Sequence, residues 1–478
     1  MIKKLLLSLF VFLLCLQVIT DTDFGWHIRV GEYILQNKTV PKVDIFSFSN
    51  PDYPYVYHSW GSEVLLYLSF KTLGFYGATI FYTAILSICV YVLYKIVQLL
   101  NKEKTSTLFI LTLAPLAYTV GGARTRVFSL LFSALLYYLF LKYKHHGSKL
   151  IFFTPAIFFL WVNLHASFVF GIFTLFILIA TEYFFSNKKK ATRIIFLIPA
   201  SIAATLINPY FQNSWKQAIS MLVNSYHIQS INPDWQPLIN TNNSGWIFAA
   251  FTITILVAMK IFKIHLDKTE KAFLIIALTL SLISSRASVI LLIFLVSPTN
   301  HIITFFKNKF KKEAVNALPV ITSIAVFTLV LFLLMVKNIV EITTAYTSAQ
   351  NYSKFIKTRA PKIQYAWPNN GSEYIQNNLK GKRILTEANW ASYMLIYDKD
   401  LKLFYYSAMD NFIVNGHSFA FEYLQIIYAL NDFEKKLEKY NVEVVFLPDD
   451  IPLAKSLINN PKWQTVFKDD YATVFVKN

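Results

Sequence analysis

"MIKKLLLSLFVFLLCLQVITDTDFGWHIR", residues 1–29, opens on two lysines, runs through about 17 apolar residues and then crowds Asp21, Asp23, Trp26, His27 and Arg29 together. The basic start and apolar core have the outline of a cleavable secretion signal. No clear small-x-small cleavage site follows, so the segment reads as an uncleaved first membrane span. Charge at the point where a chain leaves lipid is expensive and usually has a use.

The composition supports a chain built around lipid. Of its 478 residues 55% are hydrophobic, 17% aromatic and only 15% charged, and mean hydropathy is +0.44. A soluble domain is about 45–50% apolar and about 25% charged. The excess here lies in long blocks that one water-soluble core cannot hide. Apolar runs near 4–20, 76–100, 107–121, 127–142, 150–163, 166–186, 193–208, 246–264, 272–284, 288–305 and 317–337 give about eleven expected spans. The expected fold is therefore an α-helical polytopic membrane protein of about eleven transmembrane helices with a C-terminal extracytoplasmic α/β domain. A transmembrane domain over 1–337, with a first outer loop at 21–75, would precede the α/β domain at 338–478.

The net charge of +18 would suggest nucleic acid in a soluble protein. Here the lysines gather in alternate short loops, "NKEK" (101–104), "KYKHHGSK" (142–149), "NKKKATR" (187–193), "KIFKIHLDKTEK" (260–271) and "KNKFKKE" (307–313). The positive-inside bias accounts for them, and no nucleic-acid partner is expected. The amino terminus and these loops face the cytoplasm on this reading. An odd span count then puts the tail outside a cytoplasmic (inner) membrane. Cys15 and Cys89 lie within apolar runs and form neither a disulfide framework nor a metal motif.

The opposite loops hold the chemically capable groups. Besides residues 21–75, with "DTDFGWHIR" and "VYHSWGSEVLLYL", they carry "GGARTRVFS" (121–129), "WVNLHASF" (161–168), "LINPYFQNSW" (206–215), "INPDWQP" (231–237) and "SSRAS" (284–288). Asp21 and Asp23 form a D-x-D. Asp23 can simply cap a following helix. Alternatively the pair can take a proton from an acceptor hydroxyl, or hold a hard divalent cation such as Mg²⁺ or Mn²⁺ through oxygen. Arg29, Arg124, Arg126 and Arg286 can snorkel to headgroups, or offer planar forks to a phosphate. His27, His58 and His165 are structural hydrogen-bonding groups or substrate ligands, and their spacing matches no closed zinc site. Asn163 and Trp235 are further substrate-binding candidates, although a rim Trp is also what an interfacial belt contains.

From about residue 360 the pattern changes to that of an ordinary α/β domain. "KRILTE", "LKLFYYS", "VEVVFLP", "WQTVF" and "YATVFVKN" read as strands, and "FEYLQIIYALNDFEKKLEKY" as one amphipathic helix. No Gly-rich phosphate loop, His-Glu-x-x-His or GxSxG motif occurs there.

A first span ending in an acidic residue, a long outer loop with further acidic and His residues, many spans and an outward α/β tail together resemble the C-type glycosyltransferase superfamily. Its members are membrane enzymes that use polyprenyl-phosphate-linked sugars. More narrowly, "DTDFGWHIRVGEYILQNKTVPKVDIFSFS…YHSW", "RTRVFSLLFSALLYYL", "WVNLHASFVFG", "LINPYFQNSW" and "SRASVILLIFLVSP" resemble a group of uncharacterised bacterial membrane proteins of that kind. The resemblance implies a sugar moved from a polyprenyl-phosphate donor to a glycan, lipid or protein acceptor at the outer face of the membrane. It implies that Asp23, with Asp21 second, is the functional carboxylate, and that Arg124 and Arg126 hold the lipid phosphate. The W-W-D-type tail motif of oligosaccharyltransferases is missing. The alternatives are a surface-polysaccharide polymerase or ligase, and a non-enzymatic lipid or polysaccharide transporter. The early carboxylates argue against the first, and the lack of paired repeats against the second.

Overall fold

The computed structural model describes residues 2–100, 123–223, 236–237, 243–312, 317–347, 367–414, 416–430 and 432–478. Helices α1 (Ile2–Cys15), α2 (Phe24–Asn37), α3 (Trp60–Leu100), α4 (Val127–His146), α5 (Thr154–Leu164), α6 (Phe168–Phe185), α7 (Lys188–Ile194) and α8 (Leu197–Thr205) come first. They are followed by α9 (Asn213–Val223), α10 (Asn243–Ile261), α11 (Lys268–Ile283), α12 (Ser288–Lys312) and α13 (Ala317–Ala345). Mixed structure begins with α14 (Asn369–Asn378), β1 (Arg383–Thr386), α15 (Ala388–Tyr397), β2 (Lys402–Leu403), β3 (Ile413–Val414) and β4 (His417–Ser418). It ends with α16 (Phe419–Ile427), α17 (Phe433–Lys439), β5 (Val444–Leu447), α18 (Pro452–Leu457), β6 (Trp463–Lys468) and β7 (Thr473–Lys477).

These elements form two compact units. The first comprises Met1–Val18, Thr79–Ala218 and Pro233–Glu341; the second comprises Ile19–Ala78, Ile219–Asn232 and Ile342–Asn478. Chain that leaves the first span thus folds in one unit with the tail.

The first unit is helical and apolar outside as well as inside. Phe173, Phe176 and Ile253 are exposed, as side chains facing lipid are, while Phe273 stacks on Phe294 with centroids 4.9 Å apart in its interior. These are the features of a membrane protein. The expected count of about eleven spans is not what the described helices give. Three are long and apolar enough to cross a bilayer, α3, α4 and α6. Four shorter apolar helical segments, Leu5–Cys15, Lys149–Leu164, Phe248–Ile261 and Ile290–Phe306, add to them. The expected span 107–121 lies outside the described residues. The run at 193–208 is divided between α7 and α8, and the run at 150–163 starts as a 3₁₀ turn over Lys149–Phe153. Helix α3 is long but bent, because Leu73 leaves helical dihedrals and Gly74 takes φ 59°, a left-handed conformation that glycine adopts without Cβ strain.

The second unit is built on a five-stranded sheet in the order β2-β1-β5-β7-β6. β1 runs parallel to β2 and β5, whereas β7 is antiparallel to β5 and β6. Central β5, Val-Val-Phe-Leu, is buried at every position, which is why it reads as an unbroken apolar run. The loop at 46–48 extends the sheet edge. Phe48 N–H donates to the Leu403 carbonyl (2.9 Å), and Leu403 N–H donates to that of Phe46 (3.2 Å). All five expected strands are present. The single amphipathic helix expected over 421–440 is two, α16 and α17. Ala429 at φ 50° and Asp432 at φ 65° turn the chain, and Leu430 N–H closes a helix-ending bond to the Gln425 carbonyl (2.9 Å).

Candidate functional site

Within the second unit, Asp21 and Asp23 stand where the chain turns into α2. Asp21 is buried, and its Oδ1 accepts the Asp23 N–H (3.2 Å). Asp23 occupies the N-cap position of α2 but makes no side-chain cap bond. Its carboxylate accepts the Ser407 hydroxyl instead. Ser407 in turn lies 3.0 Å, Oγ to Oγ, from the fully buried Ser392 of α15. This geometry depends on α2 and α15 touching backbone to backbone. A Cβ on Gly25 would fall 1.6 Å from the Ser392 carbonyl oxygen, so only glycine allows the approach.

Arg29, one turn further along α2, ties the same two helices together. Its Nε donates to the Leu395 carbonyl (2.5 Å) and its Nη2 to that of Ile396 (2.6 Å). Those are carbonyls of the last turn of α15, which has no helical N–H left for them. Nη1 pairs with Glu32 at 2.5 Å. The planar fork expected to bind a phosphate is engaged by protein groups.

His27 is buried against α3. Its Nδ1 is hydrogen-bonded to Glu63 Oε1 at 2.8 Å, and the Trp26 ring covers it with centroids 3.7 Å apart. Burial alone would lower the imidazole pKa, but the Glu63 hydrogen bond and charge, with the charges of Asp21 and Asp23, raise it above the usual 6.5. His58 is half-buried in the turn before α3, its backbone N–H donating to the Val56 carbonyl (2.9 Å).

The first unit holds the other candidates. Arg124 and Arg126 are half-buried in the turn that starts α4, with Arg126 at its N-cap position. One turn into α4, Ser129 donates its N–H to the Arg126 carbonyl (2.9 Å) and sets its Oγ 2.8 Å from Nδ1 of His165. Ser167 completes the cluster, its Oγ 3.0 Å from the same nitrogen and accepting the Trp161 indole N–H (3.0 Å). The imidazole of His165 is thereby fixed beside the arginine turn. Asn163, in the last turn of α5, donates Nδ2 to the carbonyls of Phe159 in its own helix (2.7 Å) and of Ile207 just after α8 (3.0 Å). Arg286 is half-buried in the 3₁₀ turn Ser285–Ala287 between α11 and α12. Trp235 lies outside the described residues.

Asp21, Asp23, His27, Arg29 and His58 thus share one unit, and Arg124, Arg126, Asn163, His165 and Arg286 share the other. Ser407, Ser392, Glu63 and Ser129 are the partners that motif reading missed. They lie in "YYSAMDNF", "NWASYML", "HSWGSE" and "GGARTRVFS", where residue type alone does not mark the contacts they make. Among the described residues, no three His, Cys, Asp or Glu side chains converge as a metal ion requires. With Asp21 holding the Asp23 N–H and Asp23 engaged by Ser407, the pair is not a complete ligand set for a resident divalent cation.

No protein-family model matches the sequence, and no curated protein matches it. Solved structures do match in fold, oligosaccharyltransferases among them. The oligosaccharyltransferase of Archaeoglobus fulgidus in its apo form superposes with TM-score 0.53 at 9% identity, covering 93% of this chain and 69% of that one. A structure of oligosaccharyltransferase AglB from the same organism, in complex with an inhibitory peptide and a dolichol-phosphate, gives TM-score 0.50 at 10% identity over 93% and 68%.

Proposed function

We propose that this protein is a membrane glycosyltransferase that moves a sugar from a polyprenyl-phosphate donor to an acceptor on the outer face of the cytoplasmic membrane. The observation that carries the reading is the Asp23 carboxylate, turned away from its own helix and held by Ser407 in a chain of oligosaccharyltransferase-like fold. The dolichol-phosphate and peptide bound to AglB support a lipid-phosphate donor and a separate acceptor as the ligand classes.

In the proposed reaction Asp23 takes the proton of an acceptor hydroxyl, with Asp21 adding negative charge beside it. The freed oxygen forms a bond to the anomeric carbon. The bond from that carbon to the lipid phosphate breaks, and the phosphate leaves with the electron pair. Arg124, Arg126 and Arg286 are assigned to the lipid phosphate, since fixed cations best stabilise developing charge where water is scarce. His165, fixed by Ser129 and Ser167, supplies a hydrogen bond to sugar or phosphate, as does His58. On this reading the amino terminus lies in the cytoplasm and the α/β unit outside, which the alternation of lysine-rich loops supports.

The test uses full-length protein in nanodiscs with a panel of polyprenyl-phosphate-linked hexoses and pentoses. Asp23→Asn is expected to abolish transfer in a protein that still folds and inserts; full transfer in that variant removes Asp23 from the mechanism. Added polyprenyl phosphate should stabilise the wild type but not Arg124→Ala.

A further inference from the structure

A cleft of about 300 Å³ opens in the second unit between α14 and the C-terminal half of α15, a size at the lower end for small-ligand sites. Tyr393 and Tyr397, one helical turn apart, form an aromatic wall with centroids 5.3 Å apart and planes at 69°. Trp367 backs Tyr393 at 4.1 Å. Tyr393 is buried and fixed, its hydroxyl donating to Asn369 Oδ1, whereas Tyr397 is 44% exposed. The Asn369 bond leaves both Nδ2 N–H donors of that amide available among the described residues. Gln376 and Asn377 add two more carboxamides. The Ser372 hydroxyl is buried in the same lining and has no hydrogen-bond partner among the described residues.

The charges in the lining are Glu373 and Asp398; no Lys or Arg is among the residues that form it. Two carboxylates without a cation repel a phosphate or pyrophosphate, which excludes the donor headgroup. The remaining chemistry is an aromatic face beside groups that both donate and accept. An uncharged sugar ring has that same duality, with one face of C–H bonds suited to the negative face of an aromatic ring and a rim of hydroxyls suited to amides and carboxylates. We infer that the cleft between α14 and α15 is a carbohydrate-binding subsite for a neutral glycan chain, the acceptor of the proposed transfer. As an acceptor subsite it rests on the transferase reading; as a glycan-binding cleft it stands without it.

Full-length protein in nanodiscs is immobilised and challenged with neutral gluco-, manno-, galacto- and chito-oligosaccharides, a lysine-rich peptide and polyprenyl phosphate. The wild type should retain at least one oligosaccharide. Tyr397→Ala should weaken that binding about tenfold or more, by loss of the stacking ring, whereas Tyr397→Phe should keep most of it. Gln376→Ala, at an exposed position, should weaken binding without touching the fold. Asp23→Asn should bind as the wild type does. The inference is overturned if no oligosaccharide is retained, if binding ignores both Tyr397→Ala and Gln376→Ala, or if only the peptide is captured. Oligosaccharide binding together with full transfer by Asp23→Asn leaves the cleft standing and removes the mechanism; transfer without oligosaccharide binding does the reverse.

Discussion

Asp23 gives up the capping of its own helix to accept a hydrogen bond from Ser407, 384 residues further along the chain. An aspartate that caps a helix contributes about 0.5–2 kcal/mol, so the local bond forgone is not trivial. The contact fixes the carboxylate's direction and leaves its proton-accepting capacity in place. Ser407→Ala should therefore lower turnover by about ten- to a hundredfold, the worth of one hydrogen bond to a charged group. Donor binding and melting temperature should stay close to wild type. Transfer kinetics separating kcat from KM check it: a change confined to KM would place Ser407 in binding rather than in positioning the carboxylate.

Arg29 is expected to matter for stability. Removing its guanidinium strands the Leu395 and Ile396 carbonyls at the end of α15 and takes the cation from Glu32, whose other oxygen still accepts from Gln36 and Tyr67. Arg29→Ala should destabilise the unit by about 2 kcal/mol, since unmet polar groups cost about 1–3 kcal/mol when buried. Arg29→Lys should recover little of it, because an ammonium cannot reach both carbonyls with a planar fork. Thermal melts of the two variants decide the matter, and a lysine variant as stable as wild type would show that charge alone suffices.

The buried His27–Glu63 pair makes stability depend on pH. His27 has a folded pKa above its usual 6.5. A base whose pKa rises on folding contributes stability that is complete below the unfolded value and disappears as pH climbs through the folded one. Melting temperature should accordingly fall as pH is raised from about 6.5 upward. His27→Gln should flatten the dependence. Asp23→Asn, which removes one of the charges that raise the pKa, should move the loss to lower pH. A wild-type melting temperature that climbs over that range would contradict the sign.

The sequence was most readable where one physical demand dominates a whole segment. Long apolar runs mark α3, α4 and α6, and the strands of the tail stand out because buried β5 must be apolar at every position. The α16–α17 break was invisible because no Gly or Pro interrupts residues 421–440, and the turn is made by Ala429 and Asp432 in left-handed conformation. Asp23 was singled out by its place at a membrane exit, but not its partner, since a serine in "YYSAMDNF" carries no mark of a contact made across the chain. Arg29 shows the same limit. Residue type revealed a fork able to grip two oxygens, and only the packing of α2 on α15 revealed whose oxygens they are.

That packing turns on Gly25. A Cβ there would lie 1.6 Å from a backbone oxygen, that of Ser392, which no rotamer change can move aside. The helices must separate, and overpacking of this kind costs about 1–3 kcal/mol or more. Asp23 sits two residues before Gly25 and reaches Ser407 only while α2 and α15 stay docked, so Gly25→Val should lose transfer and stability together. Gly147 provides the contrast. It holds φ 64° in open space, with nothing within 4 Å of an added Cβ, so Gly147→Ala should cost only about 1 kcal/mol of backbone strain and leave transfer unchanged. Melting temperature and transfer measured on both variants form the test. A Gly25→Val protein that melts and transfers as the Gly147→Ala protein does would mean that α2 and α15 do not depend on this contact.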